Sequence, residues 1–264
     1  MRRLHLSRGL IALLSVIALL FLALPLIALV GRAISVQAWN ELPDSGILQA
    51  ILLSFVTTLL TALITVIFGT PLAYVFARGR FPLRHPLNIL LELPIVLPPA
   101  VAGLGLLVAY GRRGVFGDAL AAFGISLPFT TAAVVIAQTF VSAPFYIRSA
   151  QVGFHAVPRE IEDAARVDGA SGWTLFRFVT LPLASRALTA GLVLSWARAL
   201  GEFGATILFA GSLQGRTQTM PLLIYNILER NINASIWAGV ILVGLAGLAM
   251  LLSQWLRRED SLEI

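Results

Sequence analysis

The sequence has no cysteine, and all 19 of its basic Lys+Arg residues are arginine, so lysine is absent as well. Without cysteine there is no disulfide, thiolate metal site or cysteine nucleophile. Without lysine there is no P-loop cation for nucleotide phosphates and no amine for a Schiff base with retinal or pyridoxal phosphate. Histidine is scarce: His5, His85 and His155 stand far apart in the chain, which argues against a metal or catalytic constellation. Charge is scarce too, at 12% of 264 residues, against about 25% in a soluble domain.

What the chain has in abundance is apolar surface, with 58% hydrophobic residues and a mean hydropathy of +0.88. A single soluble core cannot hide that much. A membrane span needs about 20 apolar residues, and six segments qualify: Leu10–Gly31, Gln49–Phe76, Asn88–Tyr110, Phe129–Ile147, Ala184–Ala210 and Ala234–Trp255. The expected fold class is an all-α integral membrane protein of about six transmembrane helices, with residues 1–264 forming one transmembrane domain set in lipid.

The sequence pI near 10.9 could suggest nucleic acid, but in so apolar a chain the basic excess marks cytoplasmic loops, and no nucleic-acid partner is expected. Alternating the loops from a cytoplasmic N-terminus puts thirteen arginines on one side and five (Arg32, Arg112, Arg113, Arg216 and Arg230) on the other, with Arg198 inside the fifth span. The positive-inside rule therefore places both termini in the cytoplasm. The first segment follows Met1-Arg-Arg, but its apolar run exceeds the 7–15 residues of a signal-peptide core and no small-x-small cleavage site precedes Arg32, so it reads as a retained span.

The third span carries Glu92, Pro94, Pro98, Pro99 and a Gly103-x-Gly105 step. Such a composition must bend a helix, and freed carbonyls are tolerated only where protein or water satisfies them. A static kink and a moving part of a pathway both fit.

The longest inner loop lies between the fourth and fifth spans and reads as two short helices. In Val157-Pro-Arg-Glu-Ile-Glu-Asp-Ala-Ala-Arg-Val-Asp168, Pro158 suits a first turn and the acids at 160, 162 and 163 sit near the positive end of the dipole. Gly169 would end this helix as a left-handed cap, and Ser171 would N-cap a second helix over Gly172–Val179. Leu181-Pro182 would then turn the chain back into the membrane. A helix-Gly-helix knob of this kind suits the docking of a soluble partner; an amphipathic helix lying on headgroups would explain its aromatics but not its Gly and Leu-Pro spacing.

Asp163-Ala164-Ala165, three residues, Gly169, nine residues, Val179-x-Leu181-Pro182 resembles the coupling motif of bacterial ABC importer permeases, written Glu-Ala-Ala, three residues, Gly, nine residues, Ile-x-Leu-Pro. Every spacing agrees, with Asp for Glu and Val for Ile. The resemblance implies a type I ABC importer permease fold and assigns ATPase coupling to Glu162, Asp163, Ala164, Ala165, Gly169, Ala170, Leu181 and Pro182.

Within the fifth span, Arg198 and Glu202 stand four residues apart and so share a helix face. A charge inside a membrane is paired or aimed at a water-filled cavity, so the two either neutralise each other or Arg198 draws an anion along a pathway. Gly201-Glu-Phe-Gly-Ala-Thr206 and Gly215-Arg-Thr-Gln-Thr-Met-Pro-Leu222 look like the C-terminal half of molybdate and tungstate permeases, with sulfate permeases similar in the same places. Arg216, Thr217, Gln218 and Thr219 fall on the outer side, where they offer donors to an oxyanion or to a partner's acidic surface, or form a solvated loop.

The resemblance further implies a homodimer of this chain, two copies of a cytoplasmic ATPase and a periplasmic or lipid-anchored oxyanion-binding protein. ATP and Mg would bind on the partner ATPase and no cofactor on this chain, which performs no chemistry itself. A sulfate or thiosulfate permease is the near alternative. An ion-coupled secondary transporter would carry more intramembrane acids than Glu92 and Glu202, or a pair of similar broken helices. An intramembrane enzyme would need a catalytic set that three scattered histidines do not supply.

Overall fold

The fold, a computed structural model, describes residues 2–41 and 46–259. Among these the regular structure is entirely helical. In chain order the helices are α1 (Arg2–Ser35), α2 (Ile47–Arg78), α3 (Arg84–Val96), α4 (Pro99–Tyr110), α5 (Gly117–Ala122), α6 (Thr131–Ala156), α7 (Arg159–Val167), α8 (Gly172–Leu175), α9 (Leu181–Leu200), α10 (Gly204–Phe209), α11 (Met220–Leu228) and α12 (Ile232–Glu259), with a 3₁₀ turn at Ala38–Glu41 and a π turn at Phe176–Thr180.

Among the described residues four helical runs are long and apolar enough to cross a membrane, and a fifth is added if the bent pair α3–α4 is one span. The six expected segments differ from this in three places. Residues 88–110 are not one helix: α3 and α4 meet at 117° across Leu97-Pro98, because Pro98 and Pro99 supply no N–H to carry the helical ladder across the junction. Residues 129–147 lie on α6, which is about 39 Å long but less apolar, since Gln138, Ser142 and Gln151 turn into the interior and are buried. Residues 184–210 break at Gly201. The fifth span instead begins at Gly172 and runs to Leu200, so the expected separate helix at 172–179 is its first turns.

That continuity has a local cause. Pro182 has no N–H for the carbonyl four residues back, and the π turn just before it absorbs the mismatch: the Leu181 N–H bonds the Phe176 carbonyl, five residues back. Leu181-Pro182 therefore passes the helix into the membrane without a corner.

The centre of the bundle is α6, packed along α2 on one side and α9 on the other. Small side chains make this close. Ser54, Thr58, Thr61, Thr65 and Gly69 recur at helical spacing along α2 and the four hydroxyl residues are at most 3% exposed. A Cβ on Gly69 would come within 3.0 Å of Tyr146 on α6, and one on Gly191 of α9 within 2.5 Å of the Ser149 Cβ. With lipid on the outside there is no hydrophobic drive between helices, so close backbone approach supplies the association. Two of these hydroxyls bond along the helix or across to α6: Thr58 Oγ1 donates to the Ser54 carbonyl at 2.7 Å and Thr61 Oγ1 to Gln138 Oε1 at 3.2 Å. By contrast α1 buries almost nothing against its own chain: the apolar window within Gly9–Ser35 is 0% buried, as suits a helix that faces lipid or another subunit.

Candidate functional site: the α7 turn and its opposite end

The α7 helix starts after Pro158, with Glu160 and Glu162 in its first turn. It ends as a Schellman motif. The Ala170 N–H bonds the Ala165 carbonyl at 2.9 Å and the Gly169 N–H bonds the Arg166 carbonyl at 3.0 Å, with Gly169 at φ +93°, which is the left-handed cap that the sequence requires of this glycine. Ser171 stands at the N-cap position of α8, but its side chain makes no capping hydrogen bond.

The motif residues divide into two sets. Glu162, one of the residues assigned to ATPase coupling, is 3% exposed and turned inward. Its Oε1 lies 3.2 Å from Arg78 Nη2 at the end of α2 and accepts from Thr180 Oγ1 at 2.8 Å. The same Arg78 nitrogen donates to the Val157 carbonyl at 2.8 Å. Hydrophobic patterning does not explain this, since Ile161 and Val167 are exposed while Glu162 is buried; its partners Arg78 and Thr180 hold it inside. Asp163 pairs with Arg166 on the surface, Ala164 and Gly169 are exposed, and Ala165 and Ala170 are half-buried. Leu181 is half-buried beside the core of α2 and α6, and Pro182 is exposed. Around this turn Ile161, Val167, Trp173 and Phe178 present apolar side chains to the outside, Val167 at 88% exposure. Such a cluster beside a rigid cap is the composition of an interaction surface.

The loop expected on the outer side lies at the other end of α2. A Cβ on Gly46, just before α2, would sit 3.1 Å from Gln214 Nε2, and one on Gly215 would sit 3.4 Å from Gln49 Oε1. The α7 turn meets Arg78, the last residue of α2. The two regions are thus separated by a 32-residue helix, about 48 Å long. Only Arg216 of the four expected donors is exposed. Thr217 and Thr219 are buried to within 1% and Gln218 to 9%, so they do not face an outer surface. Thr217 Oγ1 accepts from the Leu213 N–H at 2.8 Å and lies 3.3 Å from the Gly211 carbonyl, which makes it the internal tie of its own loop. The Arg216 carbonyl accepts from Thr131 Oγ1 at 2.9 Å, fixing the loop to the start of α6.

Arg198 and Glu202 do meet. Arg198 Nη1 is 2.6 Å from Glu202 Oε2, with the Arg198 side chain 28% exposed and that of Glu202 1%. The other oxygen, Oε1, accepts from the Ala205 N–H at 2.7 Å in the first turn of α10. One carboxylate thus neutralises a cation and fills the positive end of the short helix after the break. The break at Gly201–Phe203 also touches the break between α3 and α4: a Cβ on Gly204 would sit 2.6 Å from the Pro99 Cβ, and one on Gly103 would sit 2.8 Å from the Ala205 carbonyl oxygen. The chain therefore has two broken helices that pack on each other; the bend of the first was expected from its prolines, and the second break was not. Gly103, Gly201 and Gly204 were the available signal. Among the described residues no group of three or more His, Asp or Glu side chains could hold a metal ion.

Residues 69–258 match the family model described as the binding-protein-dependent transport system inner membrane component. The chain belongs to this permease family. It is a multi-pass component of the inner membrane. This permease is 41% identical over 237 residues, 90% of each chain, to the molybdenum transport system permease protein ModB of Mycobacterium tuberculosis. It is 36% identical over 209 residues to the sulfate transport system permease protein CysT of Escherichia coli strain K12, covering 78% of this chain and 76% of that one. A solved bacterial ABC transporter involved in the import of the acidic polysaccharide alginate matches with a TM-score of 0.77 and 16% identity, covering 98% of this permease and 96% of that chain. At that identity the likeness carries the fold alone, and the fold is that of a type I ABC importer permease. Membership in this family sets aside the ion-coupled transporter that the two helix breaks could otherwise suggest.

Proposed function

We propose that this permease is the membrane subunit of a molybdate or tungstate importer, moving the oxyanion from a binding protein into the cytoplasm by alternating access. The observation that carries the reading is the α7 turn, a Schellman-capped knob with motif spacing over 163–182 and an exposed apolar rim, joined to the likeness to ModB. A homodimer of the chain, two cytoplasmic ATPase subunits that bind ATP and Mg, and a periplasmic or lipid-anchored binding protein complete the machine. The α7 end is cytoplasmic in this reading, as are both chain termini, because the arginine-rich loops lie there. Met1 and residues 260–264 are outside the described residues.

Mechanically, Asp163, Ala164, Ala165, Gly169 and Ala170 form the surface that the ATPase pushes, and Glu162 with Arg78 carries the push into α2. Leu181 and Pro182 pass it into α9, whose far end holds Arg198, Glu202 and the paired breaks. The chain itself performs no hydrolysis. The test is uptake into proteoliposomes holding this permease, its ATPase and its binding protein. Molybdate or tungstate uptake that needs ATP, with sulfate at least tenfold poorer, is the expected result. Preferred sulfate or thiosulfate uptake would reassign the substrate to the class of CysT, and uptake without ATP would overturn the reading.

A further inference from the structure

At the α7 end, between α3 and the last turns of α6, lies a cavity of about 530 Å³ lined by Arg84, His85, Asn88, Arg148, Gln151, Val152 and His155. Six of these seven side chains carry N–H groups. We propose that this cavity binds a tetrahedral oxyanion. The proposal that the anion is the transported one, held on its way out, rests on the function proposed above; the binding itself does not.

The wall is built rather than incidental. Gln151 is buried to 6% and its Nε2 donates to Asn88 Oδ1 at 3.1 Å, while Asn88 Nδ2 donates to Glu92 Oε1 at 3.0 Å. The same Glu92 oxygen pairs with Arg148 Nη1 at 3.0 Å. This relay fixes Arg148 and faces Asn88 across the cavity. Arg84 Nη2 lies 3.1 Å from His155 Nε2, and among the described residues it has no carboxylate within ion-pair distance. Two arginines against the single Glu92 leave a surplus of one positive charge, and protonation of His155 would add a second. Planar guanidinium groups donate two parallel N–H bonds to an oxyanion. A cavity of this volume is far larger than a tetrahedral anion, given about 30 Å³ per water, so the ligand would be held with part of its hydration shell. Such a site retains an anion briefly, which suits release more than capture.

The same donors would accept a free dianion or the phosphodiester of an anionic lipid, and one experiment separates them. The full chain, without ATPase or binding protein, is placed in phosphatidylcholine nanodiscs and titrated with radiolabelled molybdate and sulfate at low ionic strength. Saturable binding is expected, weakened about tenfold by Arg84→Gln and by Arg148→Gln and unchanged by Arg112→Gln at the opposite end. Arg84→Gln removes no ion pair, so it reports the site even if Arg148→Gln loosens α3. In a second arm with phosphatidylglycerol, equal binding of the free anion identifies a soluble ligand. Suppressed binding, with the lipid retained on wild type but lost from Arg84→Gln in native mass spectrometry, identifies the headgroup. No saturable binding of either kind, or binding that both arginine variants leave unaltered, overturns the site. Uptake assayed in parallel keeps the two proposals apart: normal uptake without binding sinks the cavity alone, and absent uptake with Arg84-dependent binding sinks the transport reading alone.

Discussion

The Glu162 carboxylate lies 3.2 Å from the Arg78 guanidinium, and both are held inside the chain although α7 is a surface helix. The pair joins the α7 turn to the end of α2, so a force on α7 reaches α2 directly. Replacing Glu162 by Ala strands the Arg78 charge in a largely buried place, and breaking such a pair costs about 3 kcal/mol. Glu162→Gln keeps an acceptor for Thr180 and Arg78 and should lose less than half as much. Thermal unfolding of both variants in nanodiscs checks the order; equal losses would show that the charge, and not the hydrogen-bond acceptor, carries the contact.

Gly169 separates folding from coupling. A Cβ there meets nothing within 4 Å, so the cost of Gly169→Val is the left-handed backbone alone, about 1–2 kcal/mol. The variant should insert and fold, yet lose ATP-driven uptake, because the cap sets the shape of the knob. Asn tolerates the left-handed region, and Gly169→Asn should retain most uptake. Unaltered uptake and ATPase coupling in Gly169→Val would remove the docking assignment.

How much of this was legible in the sequence depends on the range of the interactions. The α7 cap is local, and the i, i+4 spacing of Arg198 and Glu202 is fixed by helical pitch, so both stood in the one-dimensional pattern. The inward turn of Glu162 was not legible, because its partner Arg78 lies 84 residues away and nothing local pairs them. Thr217 read as polar and therefore outer, but a hydroxyl that can bond a backbone group within its own loop is as content inside. The helix breaks were half legible: proline marked the first, whereas Gly201 marked the second only once Gly204 was seen against Pro99.

Arg198→Ala leaves the Glu202 carboxylate, 1% exposed, without its cation. Since removing one member of a buried pair costs about 3–5 kcal/mol, the expected result is a large fall in thermal stability with near-normal uptake per folded molecule at low temperature. The double variant Arg198→Ala/Glu202→Gln keeps a carbonyl to cap Ala205 and should recover most of the loss. A stable Arg198→Ala protein with defective uptake would place this arginine on the anion pathway instead.

His155, beyond the membrane-facing part of α6, has its pKa lowered from the ordinary 6.5, first by burial and then by Arg84, Arg78, Arg159 and Arg148, which face it from α3, α2, α7 and α6. The neutral ring accepts from Arg84. A depressed folded-state value means the unfolded chain takes up the proton first. Stability from the neutral ring is therefore full above about pH 6.5 and falls as pH drops from there through the lowered native value. His155→Gln should flatten the acid side of the melting profile while leaving the alkaline side in place. A bound oxyanion reverses the sign at this ring, so adding molybdate should shrink the acid-side loss in the wild type and have no such effect in His155→Gln.

Gly103 and Gly105 lie two residues apart on α4 and make a matched pair for the contact between the broken helices. A Cβ at Gly103 would press on the Ala205 carbonyl oxygen at 2.8 Å and its Cα at 2.9 Å, whereas a Cβ at Gly105 would meet nothing within 4 Å. Backbone atoms of α10 cannot swing aside as a side chain can, so Gly103→Ala must push the helices apart, at about 1–3 kcal/mol for an overpacked contact. Gly105→Ala, in the same helix with the same change in propensity, should be silent or slightly stabilising. If the α4–α10 contact is kept throughout the cycle, Gly103→Ala lowers the melting temperature and uptake falls only with the folded fraction. If the breaks are hinges that separate during transport, the variant melts earlier but its uptake per folded molecule changes as well, because the clash acts in one conformation and is relieved in the other. Melting and uptake measured on the two glycine variants side by side decide between a fixed buttress and a moving joint.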